Sequence, residues 1–477
     1  MSTQRIVVAH GDGIGPEITN AVLRVLQANN TPLEYEFVEI GERAYLKGHS
    51  TGISPEAWEV IRAQRILLKG PITTPQGGGY KSVNVTLRKA LGLFANVRPC
   101  RAYTPYVASL HPKMNVVILR ENEEDLYAGI EYRQSQEVVL DLKVVTRPGS
   151  ESIIRYAFEY ARAYGRKKVT CMTKDNIMKM TDGLFHRVFD EIAREYPELK
   201  SDHLIIDIGA ARLAAQPEML DVIVTLNLYG DILSDIAAQV AGSIGLAGSA
   251  NVGQDAAMFE AVHGSAPDIA GKDIANPSGL LNAAIQLLVH VGLAHDAQRI
   301  RNAWLCALED GIHTPDIFRE PFSAQRVGTR AFADAVIERL GNAPEFLDAL
   351  TYREGGIHIV PRALPKQEQK LVGVDVFLVW DKADRAPNVL GNQILQIDAS
   401  PLQFKMMTNR GVKVFPDANA ETARADMWRC RYLGENLAFD HVLALLEQIN
   451  RRGIHINKIE NLYTFDGERG YSLGQGE

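Results

Sequence analysis

Between Arg5 and Leu26 the chain reads RIVVAHGDGIGPEITNAVLRVL, a short β-branched run, a glycine-rich turn and an amphipathic helix in succession. Similar alternation runs along most of the chain. Apolar runs such as RILLKG, NVVILR, KKVTCMT, HLIIDIG and DVIVTLN alternate with helical stretches such as SIIRYAFEYARAYG and GLFHRVFDEIARE. Short, continuously apolar strands are covered on both faces, and strands interleaved with helices build an α/β architecture. The 477 residues leave room for two or three domains. Glycine-rich segments punctuate the pattern at 77–79 and 242–253, and after Leu340 the texture changes. Residues 341–364 mix Gly, Pro and charge without periodicity and read as a linker. Beyond it, KLVGVDVFLVW, FKMMTN, GVKVF and MWRCRYL predict strands, and FDHVLALLEQINRRG predicts a helix stopped at Gly453, so 365–477 form a separate small α+β domain.

The opening turn carries part of a dinucleotide-binding fingerprint. Gly11 and Gly13 fit G-x-G-x-x-G, but Pro16 stands where the third glycine belongs, with Gly15 one place early. Glu36 and Glu39 follow at about the distance of a ribose-binding acid. The same residues also suit a plain strand-to-helix turn, in which proline is tolerated at the first helical position.

Three constellations carry chemistry. In NLYGDILSD, Asp231 and Asp235 are four apart and share one helix face. Two such anions repel unless a cation lies between them, which favours an oxygen-ligated Mg²⁺ or Mn²⁺. An acidic turn complementing a helix dipole is the alternative. Asp207 in LIIDIGA, at the end of an apolar run, offers a third carboxylate or a turn-former. The second constellation gathers Lys69, Thr74, Ser82, Asn84, Arg88 and Arg98 about the glycine loop, with Arg120 following in VILRENEEDLYAGIE. Guanidinium forks with small polar donors suit a multiply anionic small substrate, although each arginine taken singly also fits a surface ion pair. The third is the irregular stretch FEAVHGSAPDIAGKDIANPSG around His263.

A formal net charge of -7 speaks against a broad nucleic-acid or anionic-membrane surface. No apolar run approaches the length of a bilayer span. Four scattered cysteines without C-x-x-C spacing fit neither a disulfide framework nor a structural zinc site, and suggest a cytoplasmic enzyme.

Together the motifs GDGIGPE, RENEEDLYAGIE, TKDNIMK, NLYGDILSD and EAVHGSAPDIAGK, in this order over roughly 1–340, resemble the β-decarboxylating dehydrogenases acting on isocitrate, isopropylmalate and homoisocitrate. SVNVTLR, from Ser82 to Arg88, resembles the isocitrate-specific members. VGVDVF, NRG and RCR resemble an extra C-terminal domain of Thermus-like bacterial members. The resemblance implies the family's own non-Rossmann α/β fold, with a large domain (1–98 and 242–340), a small domain (99–241, clasp 125–146) and the C-terminal α+β domain. It removes the Rossmann reading of the opening turn.

The resemblance also implies roles. Arg88, Arg98 and Arg120, with Thr74, Ser82 and Asn84, bind the carboxylates of isocitrate. Asp231 and Asp235, with Asp207 of the partner subunit, hold Mg²⁺ or Mn²⁺. Lys174 of the partner subunit helps deprotonate the substrate hydroxyl, and Tyr127 protonates C3. The shared site implies a homodimer, with higher assembly through the C-terminal domain. The adenosine half of the cofactor falls to His263, Gly264, Ser265, Ala266, Asp268, Ile269 and Asn276. Asp268-Ile269 stands where NADP-using members carry Lys-Tyr, which implies NAD. The implied reaction is NAD-dependent oxidative decarboxylation of isocitrate in the tricarboxylic acid cycle. Homoisocitrate or isopropylmalate oxidation, or a non-catalytic regulatory subunit, are the alternatives.

Overall fold

A computed structural model of the protein describes residues 3–74, 81–349, 351–352, 357, 359–360, 362–363, 365–417 and 421–474. The glycine loop at 77–79 lies outside them. Contacts divide the chain into two compact units, 1–128 with 143–361 and 129–142 with 362–477.

The first unit is built on a ten-stranded sheet. Its spatial order is Leu33–Phe37, Gln4–Ala9, Ile66–Lys69, Ala257–Ala261, Gly248–Val252, Ala95–Arg101, Asn115–Glu121, Val222–Thr225, Lys168–Thr173 and Lys200–Ile205. The two wings are parallel. The centre is antiparallel, from Ala257–Ala261 through Gly248–Val252 and Ala95–Arg101 to Asn115–Glu121. This antiparallel seam separates the fold from an all-parallel Rossmann sheet. Helices Gly15–Ala28, Ser278–His290, Ala294–Glu309 and Thr329–Glu338 pack together, with Ser278–His290 against the central strands. Arg147–Ala163 and Thr181–Ala193 pack together beside the other wing.

Two local readings change. The glycine-rich stretch 242–253 contains a fully buried central strand, Gly248–Val252. Its small residues admit helix Ser278–His290 at close range, since a Cβ on Gly248 would strike the backbone of Ala283 and Gly279. Asp207 does not end a strand; it lies in the first turn of helix Ile206–Ala215, which follows strand Lys200–Ile205 without a loop.

The stretch read as a linker is docked on the first unit. Ile359 is buried in its core, and Leu347, Tyr352 and Ile357 pack against that core. Glu309 accepts backbone N–H bonds from Glu345 and Phe346, both at 2.8 Å.

The second unit holds a six-stranded antiparallel sheet in the order Val412–Phe415, Gln403–Asn409, Met427–Leu433, Gln369–Val379, His455–Phe465 and Glu468–Arg469. With helices Pro387–Leu395 and Phe439–Arg451, its four long strands form a split βαβ arrangement. The helices bury Leu390, Ile394, Val442, Leu445 and Ile449 in one core with Val374, Val376, Trp428 and Cys430 of the sheet. Helix Pro387–Leu395 and the eleven-residue strand His455–Phe465 were not legible as elements. Hairpin strands Glu131–Arg133 and Val139–Asp141 belong to this unit, where Ser135 Oγ donates to Asp426 Oδ1 at 2.5 Å and Arg385 pairs with Glu137 at 2.6 Å. Among the described residues no helix is long and apolar enough to cross a membrane.

Candidate active site

The opening glycine turn answers a packing problem. Gly11 and Gly13 have φ of 72° and 55°, and a Cβ on either would meet a carbonyl oxygen, of Pro71 or Ser265. The turn is thereby pressed between two loops. Ile14 N donates to Ser265 O at 2.9 Å, Thr73 N donates to Asp12 Oδ2 at 3.0 Å, and the Thr73 and Ser265 hydroxyls lie 2.8 Å apart. Glu36 sits in an outer strand, hydrogen-bonded by Gln64, and Glu39 pairs with Lys47.

Those loops line a cavity of about 330 Å³ that brings Thr74, Asn84, Arg88 and Arg98 together with His263, Gly264 and Ser265. Ser82 caps helix Val83–Ala90 by accepting from Val85 N at 3.4 Å, and lies 3.5 Å from the Thr74 hydroxyl. The cap starts a helix whose next residues place Asn84 and Arg88 four apart on one face. Asn84 Oδ1 and Arg88 Nε are buried without a hydrogen-bond partner among the described residues. Such atoms cost about 1–3 kcal/mol each when left unpaired, and a polar ligand in the cavity would satisfy them.

Apart from Asn96, two residues before Arg98, the partners that fix the arginines are far away in sequence. Glu260 is buried between Lys69, whose Nζ lies 2.5 Å away, and Arg88, whose Nη2 lies 2.9 Å away, and Asn251 Nδ2 donates to it at 2.9 Å. Burial alone would push the Glu260 carboxyl up, but the two cations hold it far below the usual carboxylate range. Arg98 donates to Asn96 Oδ1 at 2.6 Å and Ser234 Oγ at 2.5 Å. Arg120 donates to Asn227 Oδ1 at 2.7 Å and pairs with Asp231. Burial, with Arg98 and Arg88 nearby, pushes the Arg120 guanidinium down to about 9. Crowded cations of this kind favour an anionic ligand.

Helix Asn227–Ala241 carries Asp231 and Asp235. Arg98 Nη1 stands 3.2 Å from Asp231 and 3.7 Å from Asp235. Against the pull of burial, Arg120 and Arg98 hold the Asp231 carboxyl low. Tyr127 donates to Asp231 Oδ2 at 2.6 Å, and burial together with that carboxylate raises the phenol. Arg120 lies over the Tyr127 ring, 4.8 Å from its centroid. Two carboxylates one turn apart are an oxygen donor set suited to a hard divalent cation.

Lys174 and Asp207 pair with each other. Lys174 Nζ donates to Asp207 Oδ1 at 2.6 Å, and Lys174 N donates to Asp182 Oδ2 at 2.7 Å. Among the described residues, Asp207 does not join Asp231 and Asp235 in any group with ligand atoms within 4.8 Å.

The stretch from Val262 to Pro277 is irregular. His263 Nδ1 lies 3.0 Å from Gly264 O, Nε2 is buried without a partner among the described residues, and burial lowers the ring's pKa. With Nδ1 donating, Nε2 is an unfilled acceptor on the cavity wall, which fits a bound cofactor. Ala266 has φ of 39°. Asn276 is engaged on both sides, donating to Asp316 at 3.0 Å and accepting from Ser278 N at 2.9 Å. Ile269 packs half-buried on the core, whereas Asp268 is exposed.

The sequence reading missed Glu260, Asn96, Asn227 and Ser234 as anchors of the arginines. Asn227 and Ser234 lay inside the quoted motif NLYGDILSD, on a helix, and Glu260 inside FEAVHG, none of which announces a partner on another element; the i, i+2 spacing of Asn96 and Arg98 on one strand was the available signal.

Residues 5–336 match the family model described as isocitrate/isopropylmalate dehydrogenase, and 369–477 match the bacterial isocitrate dehydrogenase C-terminal domain. The chain is 51% identical over 480 residues to an NADP isocitrate dehydrogenase of Rickettsia bellii, covering 99% of both. It is 42% identical over 489 residues to the NADP isocitrate dehydrogenase of Thermus thermophilus, covering 99% of this chain and 96% of that one. A solved structure of a Thermus thermophilus protein superposes with a TM-score of 0.92 at 41% identity, covering 99% of this chain and 96% of that one. The Rickettsia bellii and Thermus thermophilus relatives named for NADP overturn the expectation of an NAD-dependent enzyme. That expectation rested on Asp268 and Ile269, and the exposed Asp268 carboxylate is too well screened by water to exclude a phosphate.

Proposed function

The chain belongs to the isocitrate/isopropylmalate dehydrogenase family, and from that premise we propose that it oxidises and decarboxylates isocitrate to 2-oxoglutarate with NADP in the cytoplasm. The observation that carries the reading is the convergence of Arg88, Arg98 and Arg120 beside Asp231 and Tyr127, with unpaired polar atoms on the cavity wall. In this reading the three guanidiniums bind the substrate carboxylates, and Ser82, Asn84 and Thr74 complete the pocket. His263, Gly264, Ser265, Ala266, Asp268, Ile269 and Asn276 line the adenosine side.

Asp231 and Asp235 would hold Mg²⁺ or Mn²⁺ together with Asp207 of the partner subunit. A bound divalent cation supplies positive charge where negative charge develops on the substrate, and bound nicotinamide supplies the hydride acceptor. Lys174 of the partner subunit takes the C2 hydroxyl proton. Tyr127, whose hydroxyl donates to Asp231 beside the arginines, stands where it can donate a proton to C3. Because Asp207 does not, among the described residues, join Asp231 and Asp235 in a group with ligand atoms within 4.8 Å, its place in the metal site would be taken by Asp207 of the partner subunit, in a homodimer with shared sites. Residues 1–98 with 242–340 act as the large half and 99–241 as the small half of the cleft, and residues 365–477 extend the assembly.

The test is an assay of purified full-length chain with isocitrate, homoisocitrate and isopropylmalate, each with NADP or NAD, with and without Mn²⁺. Metal-dependent reduction of NADP with isocitrate is expected. Absence of isocitrate turnover, or a preference for another substrate, refutes the reading.

A further inference from the structure

Strand Lys168–Thr173 ends beside three side chains from three elements: Asp175 in the following turn, His186 on helix Thr181–Ala193 and His203 on strand Lys200–Ile205. One carboxylate oxygen and one ring nitrogen from each histidine all lie within 4.8 Å of one another. Asp175 Oδ2 is 2.6 Å from His186 Nδ1, and Asp175 Oδ1 is 3.9 Å from His203 Nε2. The two imidazoles stack with centroids 3.6 Å apart and planes at 17°. None of the three lines the substrate cavity or contributes to the Asp231–Asp235 pair.

A structural ion pair accounts for only part of this. The hydrogen bond between Asp175 and His186 satisfies one ring. A second imidazole laid on the first gains nothing electrostatically, because protonating either ring opposes protonation of the other. Burial and His186 both push His203 towards its neutral form. His203 Nε2 is hydrogen-bonded to Thr173 Oγ1 at 2.9 Å, a bond it would exchange for one to the ion. Without an ion, His186 Nδ1–H donates to Asp175 Oδ2; an ion would displace that proton, and Asp190 Oδ2, 3.7 Å from His186 Nε2, stands where it can receive the proton the ring then keeps.

Two imidazole nitrogens and one carboxylate oxygen form a donor set for borderline transition ions, with a fourth position for water. At bond lengths near 2.0–2.1 Å, ligand atoms on a tetrahedral zinc ion stand about 3.4 Å apart. The separations of 2.6 and 3.9 Å bracket that value, so small side-chain movements close the site. Hard ions that seek an all-oxygen shell, Mg²⁺ above all, are poorly served by this set.

We propose that Asp175, His186 and His203 form a second metal site, selective for a zinc-class divalent ion and separate from the Asp231–Asp235 pair. Its ligands grip the turn that carries Lys174, so occupancy fixes the backbone of that residue. This consequence rests on the role proposed for Lys174, whereas the binding itself does not.

The test strips the full-length protein with a chelator, adds Mg²⁺ to occupy the carboxylate pair, and titrates Co²⁺ while recording its visible absorption. One equivalent per chain with an intense tetrahedral-type spectrum, displaced by Zn²⁺, is expected. His186→Gln and His203→Gln should each weaken binding at least about tenfold. An unchanged Co²⁺ spectrum and affinity in the double variant overturns the proposal. Should the variants fold poorly, zinc-soaked wild-type crystals give an independent answer: an anomalous peak among the three side chains is expected, and peaks only elsewhere overturn it. Zinc bound here by a protein that does not oxidise isocitrate would refute the proposed function and leave this site standing.

Discussion

Replacing Glu260 by glutamine removes one charge from the middle of the site without changing its shape. Glu260 is 3% exposed and is the counter-ion of Lys69, at 0% exposure, and of Arg88, at 7%. The amide can accept from one cation, but its NH₂ then faces another donor. Removing one partner of a buried pair costs about 3–5 kcal/mol, because the remaining charge stays desolvated without compensation. Glu260→Gln should therefore lower the unfolding free energy by that amount at neutral pH, seen as a lower urea midpoint at an unchanged slope. If the penalty comes from stranded Lys69, adding Lys69→Met should recover at least half of it in a double-mutant cycle. A single-variant loss below about 1 kcal/mol, or a double variant no better than the single, refutes the reasoning.

Tyr127→Phe keeps the ring under Arg120 but removes the proton donor, and should lower kcat roughly 10²–10⁴-fold with little change in KM for isocitrate. Gly13→Ala meets both a left-handed φ of 55° and the Ser265 carbonyl, so it should cost at least about 1–2 kcal/mol and raise KM for NADP more than for isocitrate. Burial pushes Glu121 from 4.5 up to about 7, so the folded state holds its proton more tightly than the unfolded chain. Stability contributed by the protonated group is complete below the unfolded value and is lost as pH rises through about 7. Glu121→Gln still accepts from Glu123 N or Glu124 N, and should flatten that loss, worth up to about 3 kcal/mol, in urea unfolding compared across this range. Asp268→Ala should change kcat/KM for NADP by less than roughly fivefold, since one exposed charge about 4 Å from another in water is worth only about 1 kcal/mol.

What was legible in the chain follows from the range of the forces involved. The spacing of Asp231 and Asp235 is a local property of one helix and survives in the structure unchanged. The arginines were legible as residue types, but most of their anchors come from other elements, Asn227 and Ser234 from one helix and Glu260 from a neighbouring strand. The antiparallel seam sets Asn96 opposite both Asn251 and Arg120, and the parallel pairing sets Lys69 opposite Glu260. No periodicity within one strand encodes those partners. Strand Gly248–Val252 was hidden because a helix packs so closely on it that its residues are small rather than β-branched. The association of 129–142 with the C-terminal residues was hidden for a similar reason: its polar contacts, Ser135 with Asp426 and Glu137 with Arg385, join residues far apart in sequence.

The cofactor reading failed on a question of energy rather than of position. A residue pair in one exposed loop was asked to decide between two cofactors that differ by a phosphate. Water screens a single carboxylate at Asp268 to a fraction of the discrimination that strict selection needs. The arginine readings rest on different physics, because Arg88, Arg98 and Arg120 are 7%, 5% and 1% exposed. Their charges act in a medium where burial, with Arg98 and Arg88 nearby, pushes Arg120 down to about 9 and where an unpaired donor is costly. A residue type therefore carries most functional information where the fold removes it from water, and that burial is decided by the central strands rather than by the motif itself. The same criterion separates Asp268 from the cluster of Asp175, His186 and His203, in which two rings and a carboxylate from three elements are held partly out of solvent.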